Sequence, residues 1–174
     1  DDVLFFSRAE ADKLTVQLKD LNLHAYFQRL IENLAPIYPG RKILFESDLT
    51  PQIAFQLDEH LMDHIFHNLI GNALKYSPSD CPVRCTASAT SRTLRFSVQD
   101  SGIGIPDRDQ KHLFDAFHRA GNVGARQGTG LGLNIALRAA ELLSGTITFE
   151  SREGEGSTFL VSLPLTTSTQ THHE

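Results

Sequence analysis

The stretch from Glu59 to Lys75 constrains the fold more than any other. Leu61, Ile65, Leu69, Ile70 and Ala73 recur at helical spacing and form one apolar stripe, so this helix has to lie against a hydrophobic layer. Asp58 is placed to cap its start, and Ser77-Pro78 stops it, because the residue before a proline avoids the helical region. Asn68, Asn72 and Lys75 fall at i, i+4 and i+7 along one edge, with His64 one turn earlier in the same line. Polar groups along the edge of a helix whose other face is apolar line a cleft. An amide oxygen is a hard ligand suited to Mg2+, which takes few protein oxygens beside phosphates and water. A lysine one turn further can meet a phosphate as a point charge. Taken alone, solvated Asn and Lys are the plainer reading, although asparagine is a mediocre helix former.

A second amphipathic helix is predicted from Leu23, Tyr26, Phe27, Leu30, Ile31, Leu34 and Ile37, with Asn22 as N-cap and Pro36, Pro39 and Gly40 ending it. Residues 1–14 place Val3, Leu4, Phe6, Ala9 and Leu14 at loosely helical spacing, as the end of a helix. Alternation predicts strands at 15–21, 82–89, 93–99, 146–151 and 157–163, and a strand pair at 42–48 and 53–57 around Pro51. Short helices are expected at 107–114 and 131–143. The glycine-rich segment 119–130 lacks periodicity and is long for a connector, which marks a mobile lid. Strands and helices that do not alternate strictly indicate an α+β, two-layer α/β sandwich: a mixed sheet of about five strands covered on one face by about three helices. The polar tail, 166–174, is expected to be disordered.

The 174 residues, 40% apolar, suit one domain with a real core. A net charge of −5 with no run of Lys or Arg disfavours a nucleic-acid surface. No apolar stretch is long enough to span a bilayer, and none resembles a signal peptide. A chain beginning Asp1-Asp2 is expected to be part of a longer protein, cytoplasmic or the cytosolic part of a membrane-anchored parent. Cys81 and Cys85, without partners at zinc-finger spacing, read as buried thiols.

Three further segments carry chemistry. Asp100 ends a strand and precedes Ser-Gly102-Ile-Gly104-Ile105. Its carboxylate can accept from an exocyclic amine, the glycines let a flat ring approach the backbone, and Ile103 and Ile105 supply apolar surface. A simple Asp-Ser-Gly turn is the plainer alternative. Gly128-Thr129-Gly130-Leu131-Gly132-Leu133 opens a helix, and its backbone N–H groups with the positive helix end make a phosphate seat. It matches neither the P-loop nor the dinucleotide fingerprint. His118-Arg119 lacks the Asp of a Ser/Thr kinase catalytic loop; Arg119 reads as a lid cation within reach of a γ-phosphate. His60 and His64 share a helix face. Without a His-Glu-x-x-His pattern or an acidic third ligand in register, a half-buried, hydrogen-bonded role is favoured over metal capture.

Together these segments resemble the ATP-binding catalytic domain of sensor histidine kinases, in the Bergerat-fold group with gyrase, mismatch-repair ATPases and a heat-shock chaperone. The resemblance rests on HNLIGNALKYS at 67–77, DSGIG at 100–104, Phe114-Asp-Ala-Phe117, GTGLGL at 128–133 and GEGSTF at 154–159, in order over residues 15–165. It implies ATP and Mg2+ as ligands, with Asn68 on the metal, Asn72 and Lys75 near the phosphates and Tyr76 near the sugar or base. Asp100 would read the adenine amine, residues 118–128 would form the lid with Phe114 and Phe117 anchoring its base, and Thr158 would sit behind the adenine. His64 stands where the hydrolytic members carry a water-activating Glu, which argues against steady hydrolysis.

The resemblance also implies partners. The γ-phosphoryl would pass to a histidine on a dimerisation hairpin, then to the receiver domain of a response regulator, in a homodimeric full-length protein. No histidine here has the acceptor's context, and residues 1–14 resemble the last turns of that hairpin. A regulatory module that holds ATP and acts only through partner contacts remains the alternative.

Overall fold

The computed structural model describes residues 2–11, 14–124 and 128–166. The predicted strand pair around Pro51 is not formed. Instead β2 (Ile43–Ser47) runs parallel to β4 (Val83–Ala89), while β3 (Ala54–Leu57) pairs antiparallel with β1 (Lys19–Asn22) in a separate two-stranded sheet. The run from β2 to β3 is short enough for a hairpin, but Leu49 is buried and Phe45 packs toward Phe27, so the two strands serve different layers.

The main sheet has the order β2-β4-β5-β7-β6, completed by β5 (Thr93–Asp100), β6 (Thr146–Arg152) and β7 (Gly156–Pro164), all antiparallel beyond β2–β4. Along β4 and β5 side chains alternate between buried and exposed, which is the signature of a sheet covered on one face. The polar face carries contacts such as Thr86 Oγ1 to Ser97 Oγ at 2.7 Å. On the apolar face lie α2 (Leu23–Leu34), α3 (Glu59–Tyr76) and α5 (Gly132–Leu142). Phe27 from α2 stacks on Phe96 from β5 at 4.8 Å, and Phe66 from α3 approaches both, at 5.0 and 4.7 Å. These rings fasten two helices to the sheet in one cluster. The expected mixed five-stranded sheet under helices is therefore the observed one.

Both predicted caps form. Asn22 accepts from the Ala25 N–H at 2.9 Å, and Asp58 accepts from His60 and Leu61 at the start of α3. The other oxygen of Asp58 takes the Gln17 N–H at 2.7 Å, so a buried carboxylate is fully engaged. The α2 helix stops at Leu34, short of the predicted Ile37, because Pro36 has no N–H to continue it. The first strand is shorter than 15–21, since only Lys19–Asn22 meet a partner. Helix α4 spans Asp107–Gln110 alone, and turns carry the chain on to Phe117. Helix α1 (Asp2–Glu10) is present and buries Phe5. Of the thiols, Cys85 is buried and Cys81 half-buried; burial pushes the Cys85 thiol up to about 12.

Of the expected lid, 125–127 lie outside the described residues, as do 167–174 of the expected disordered tail. Thr166 continues past β7 and accepts from the Gln56 N–H at 2.9 Å.

Candidate functional site

A cavity of about 230 Å³ opens between the edge of α3, the end of β5, the segment 118–123 and the start of α5. Asn68, Asn72, Lys75 and Tyr76 form one wall, as their spacing predicts. Asn68 is oriented from behind: its Nδ2 donates to the His64 carbonyl at 2.7 Å. That bond turns Oδ1 toward Gly132, where an added Cβ would come within 2.6 Å of the oxygen. Helix α5 thus starts with Gly132 close against the Asn68 amide, and its first turn has no side-chain cap, leaving backbone donors at the cavity. Lys75 Nζ lies 5.0 Å from the centre of the Tyr76 ring and flanks Gly128.

A further wall is built by β5 and the turn after it. Asp100 is half-buried and accepts from the Gly102 N–H at 2.7 Å. Burial pushes its carboxyl up from the ordinary 3.8, opposed by backbone bonds from Gly102 and Ser157. A single carboxylate in a wall of Ile103, Ile105, Leu113 and Phe159 fits a flat ring bearing one amine. Gly104 has φ +63 and packs against the Arg152 carbonyl, so the turn admits no side chain there.

The segment after α4 closes the third side. His118, Arg119, Ala120 and Val123 line the cavity. Asp109 of α4 holds them: its Oδ2 accepts from the Gly121 N–H at 2.8 Å, and Oδ1 lies 3.7 Å from His118 Nε2. Asn122 Nδ2 donates to the carbonyls of Ile103 (3.3 Å) and Gly104 (3.0 Å), tying this segment to the β5 turn. Arg119 contacts the Gly124 carbonyl at 3.4 Å.

Most predicted residues converge: Asn68, Asn72, Lys75, Tyr76, Asp100, Gly104, Ile105, Arg119, Gly128, Thr129, Gly130, Gly132 and Leu133 all line the cavity. Gly102 supports Asp100 from outside the lining. Leu131 is buried as the residue preceding α5, with its side chain in the core. Three expectations need correction. Thr158 does not face the cavity; Ser157 and Phe159 do, because successive strand residues point to opposite faces. Phe117 is 65% exposed, has φ 64 and meets Phe6 edge-on at 5.7 Å rather than lining the cavity, although its N–H donates to the Gly130 carbonyl at 3.0 Å and so closes the base of the segment. His64 lies beyond the cavity's end, with its ring centre 3.9 Å from Phe5 of α1.

His118 and Val123 fall within the expected lid, 118–128, without being singled out there, and Ser157 is not among the expected site residues. Ser157 was readable from the strand phase set by buried Phe159 and Val161. His118 and Val123 lie in a segment without periodicity, and nothing local marks their direction.

The family model for histidine kinase-, DNA gyrase B-, and HSP90-like ATPases matches residues 57–167. Sensor protein GacS of Pseudomonas syringae pv. syringae is 37% identical over 175 residues, which covers 95% of this chain and 19% of that protein. Adaptive-response sensory kinase SasA of Synechococcus sp. (strain JA-2-3B'a(2-13)) is 30% identical over 166 residues, covering 94% and 44%. A crystal structure of full-length ShkA in complex with AMPPNP matches with a TM-score of 0.80 at 28% identity, over 96% of this chain and 35% of that one. The chain therefore spans less than half the length of these relatives.

Proposed function

Because the chain belongs to the histidine kinase-, DNA gyrase B- and HSP90-like ATPase family, we propose that it binds Mg-ATP in this cavity and donates the γ-phosphoryl to a histidine. That histidine lies on a dimerisation hairpin of the same protein, for relay to a response-regulator receiver domain. The observation that carries the reading is the convergence of Asn68, Lys75, the α5 start and Asp100 on one cavity.

Each residue has a defined task. Asp100 accepts from the adenine amine while Ile103, Ile105 and Phe159 pack against the ring. Lys75, Arg119 and the first-turn N–H groups of α5 neutralise the phosphates. Asn68 fits a metal because its amide is turned so that Oδ1 faces Gly132 and the α5 start; Asn68 would hold Mg2+, which supplies charge neutralisation on the phosphates when bound. Phosphoryl transfer depends mainly on positioning and electrostatics, so the chain needs no nucleophile of its own. An imidazole nitrogen from the hairpin attacks in line, the bond to the β–γ bridging oxygen breaks, and ADP leaves. In this reading α1 represents the last turns of the hairpin, and His64, packed on Phe5, holds that helix rather than activating water.

The test is transfer from γ-labelled ATP in the protein carrying its hairpin. Acid-labile, alkali-stable label on the hairpin histidine is expected. ATP binding without any such label would favour the regulatory module instead.

A further inference from the structure

The loop 35–42 between α2 and β2 is pressed against α3 at two points. The Tyr38 hydroxyl packs on Gly71, where an added Cβ would lie 2.8 Å from its oxygen. The Arg41 N–H donates to the Tyr38 carbonyl at 3.1 Å, and Arg41 Nη1 donates to the Ser77 carbonyl at 3.0 Å. Ser77 is the C-cap of α3 and is buried. A carbonyl at a helix C-terminus has no intrahelical donor, and the negative end of the dipole favours a cation there.

This contact reaches the nucleotide cavity through the backbone. Tyr76, which precedes Ser77, lines the cavity, whereas Arg41 does not. The Tyr76 carbonyl abuts the turn after β5: a Cβ added at Gly102 would fall 2.7 Å from that oxygen and 2.6 Å from Asp100 Oδ1. The Gly102 N–H in turn holds Asp100 at 2.7 Å. Arg41 Nε and Nη2 are buried and find no hydrogen-bond partner among the described residues. A guanidinium engaged through one nitrogen while two others are desolvated adds little net stability, so the consequence of the bond lies in where it holds Ser77.

We propose that Arg41 is a positioning residue for adenine recognition: it fixes the end of α3 and, through the Tyr76–Gly102 contact, sets the Asp100 carboxylate where the exocyclic amine meets it. The inference rests on the proposed reading of Asp100. Without the Arg41 bond the last turn of α3 moves relative to the β5 turn, and Gly102 and Asp100 follow. A shift of roughly half an ångström takes a hydrogen bond from ~2.7 Å to the edge of its useful range. Asn68 lies more than two helical turns earlier on α3, so its contacts to the metal and phosphates stay.

The test compares Mg-ATP with the Mg complex of purine riboside triphosphate, which lacks the 6-amine, each competing against a fluorescent nucleotide. Arg41→Gln is too short to reach the Ser77 carbonyl, and Arg41→Met keeps the stem without a donor; thermal unfolding identifies which are folded. The wild type is expected to prefer ATP by roughly tenfold or more, the scale of a hydrogen bond to a charged group. In a folded variant the preference should fall by roughly fivefold, the scale of one ordinary hydrogen bond, through weaker ATP binding with the analogue's affinity unchanged. An unchanged preference, or an equal loss for both nucleotides, would overturn the positioning role. A wild type that binds the two nucleotides alike would instead overturn the reading of Asp100, and the inference with it.

Discussion

Asp100 shows how a single residue serves two opposed demands. Accepting from an amine needs a carboxylate in the wall of a largely apolar pocket, yet burial there favours the protonated acid. Below 3.8 both folded and unfolded chains hold the proton, and burial has no electrostatic cost. As pH rises from 3.8 through the higher folded value, the unfolded chain releases its proton first, so Asp100 progressively destabilises the fold. The unfolding free energy of the wild type minus that of Asp100→Asn should therefore fall with rising pH across that window, measured by urea denaturation. A difference that grows with pH would show that the backbone bonds from Gly102 and Ser157 outweigh burial.

At the scale of elements, the arrangement is a rigid helix edge facing a pinned loop. Helix α3 is fixed at its start by Asp58 and by Phe66 in the aromatic cluster, whereas the segment 118–123 depends on Asp109 and Asn122. Removing Asp109 releases the Gly121 N–H and the His118 ring together. Asp109→Ala should accelerate nucleotide release by roughly tenfold or more, the scale of a hydrogen bond to a charged group, with little change in melting temperature because α4 is peripheral. Stopped-flow displacement of a fluorescent nucleotide measures it; an unchanged rate would mean that Asp109 does not hold the segment in place. The helices were legible in the sequence because caps and apolar stripes are local. Strand partners were not: whether β2 joins β3 or β4 depends on which layer buries Phe45 and Leu49, and no nearby residue encodes that. Thr158 was misassigned for a related reason, since the phase of a strand is set by the face its partners bury. His64 lies on the predicted helix edge, yet Phe5, far away in sequence, draws its ring into another groove.

For the molecule as a whole, the site lies where the helical layer meets the end of the sheet, so its integrity follows the core. Phe27 is fully buried and touches Phe45, Phe66 and Phe96. Phe27→Ala should cost about 3–5 kcal/mol, a large share of the ~5–15 kcal/mol that holds a domain together, and thermal unfolding would report it. Among the described residues no helix is long and apolar enough to cross a membrane, and the cavity is carried entirely by the domain. The most direct measurement is calorimetric titration of ATP with Mg2+ into the wild type, Asn68→Ala and Asp100→Ala, with circular dichroism confirming that each is folded. The predicted result is loss of the Mg2+-dependent part of the affinity in Asn68→Ala and a weakening of roughly ten- to a hundredfold in Asp100→Ala. Wild-type affinity in both folded variants would contradict the assignment of this cavity.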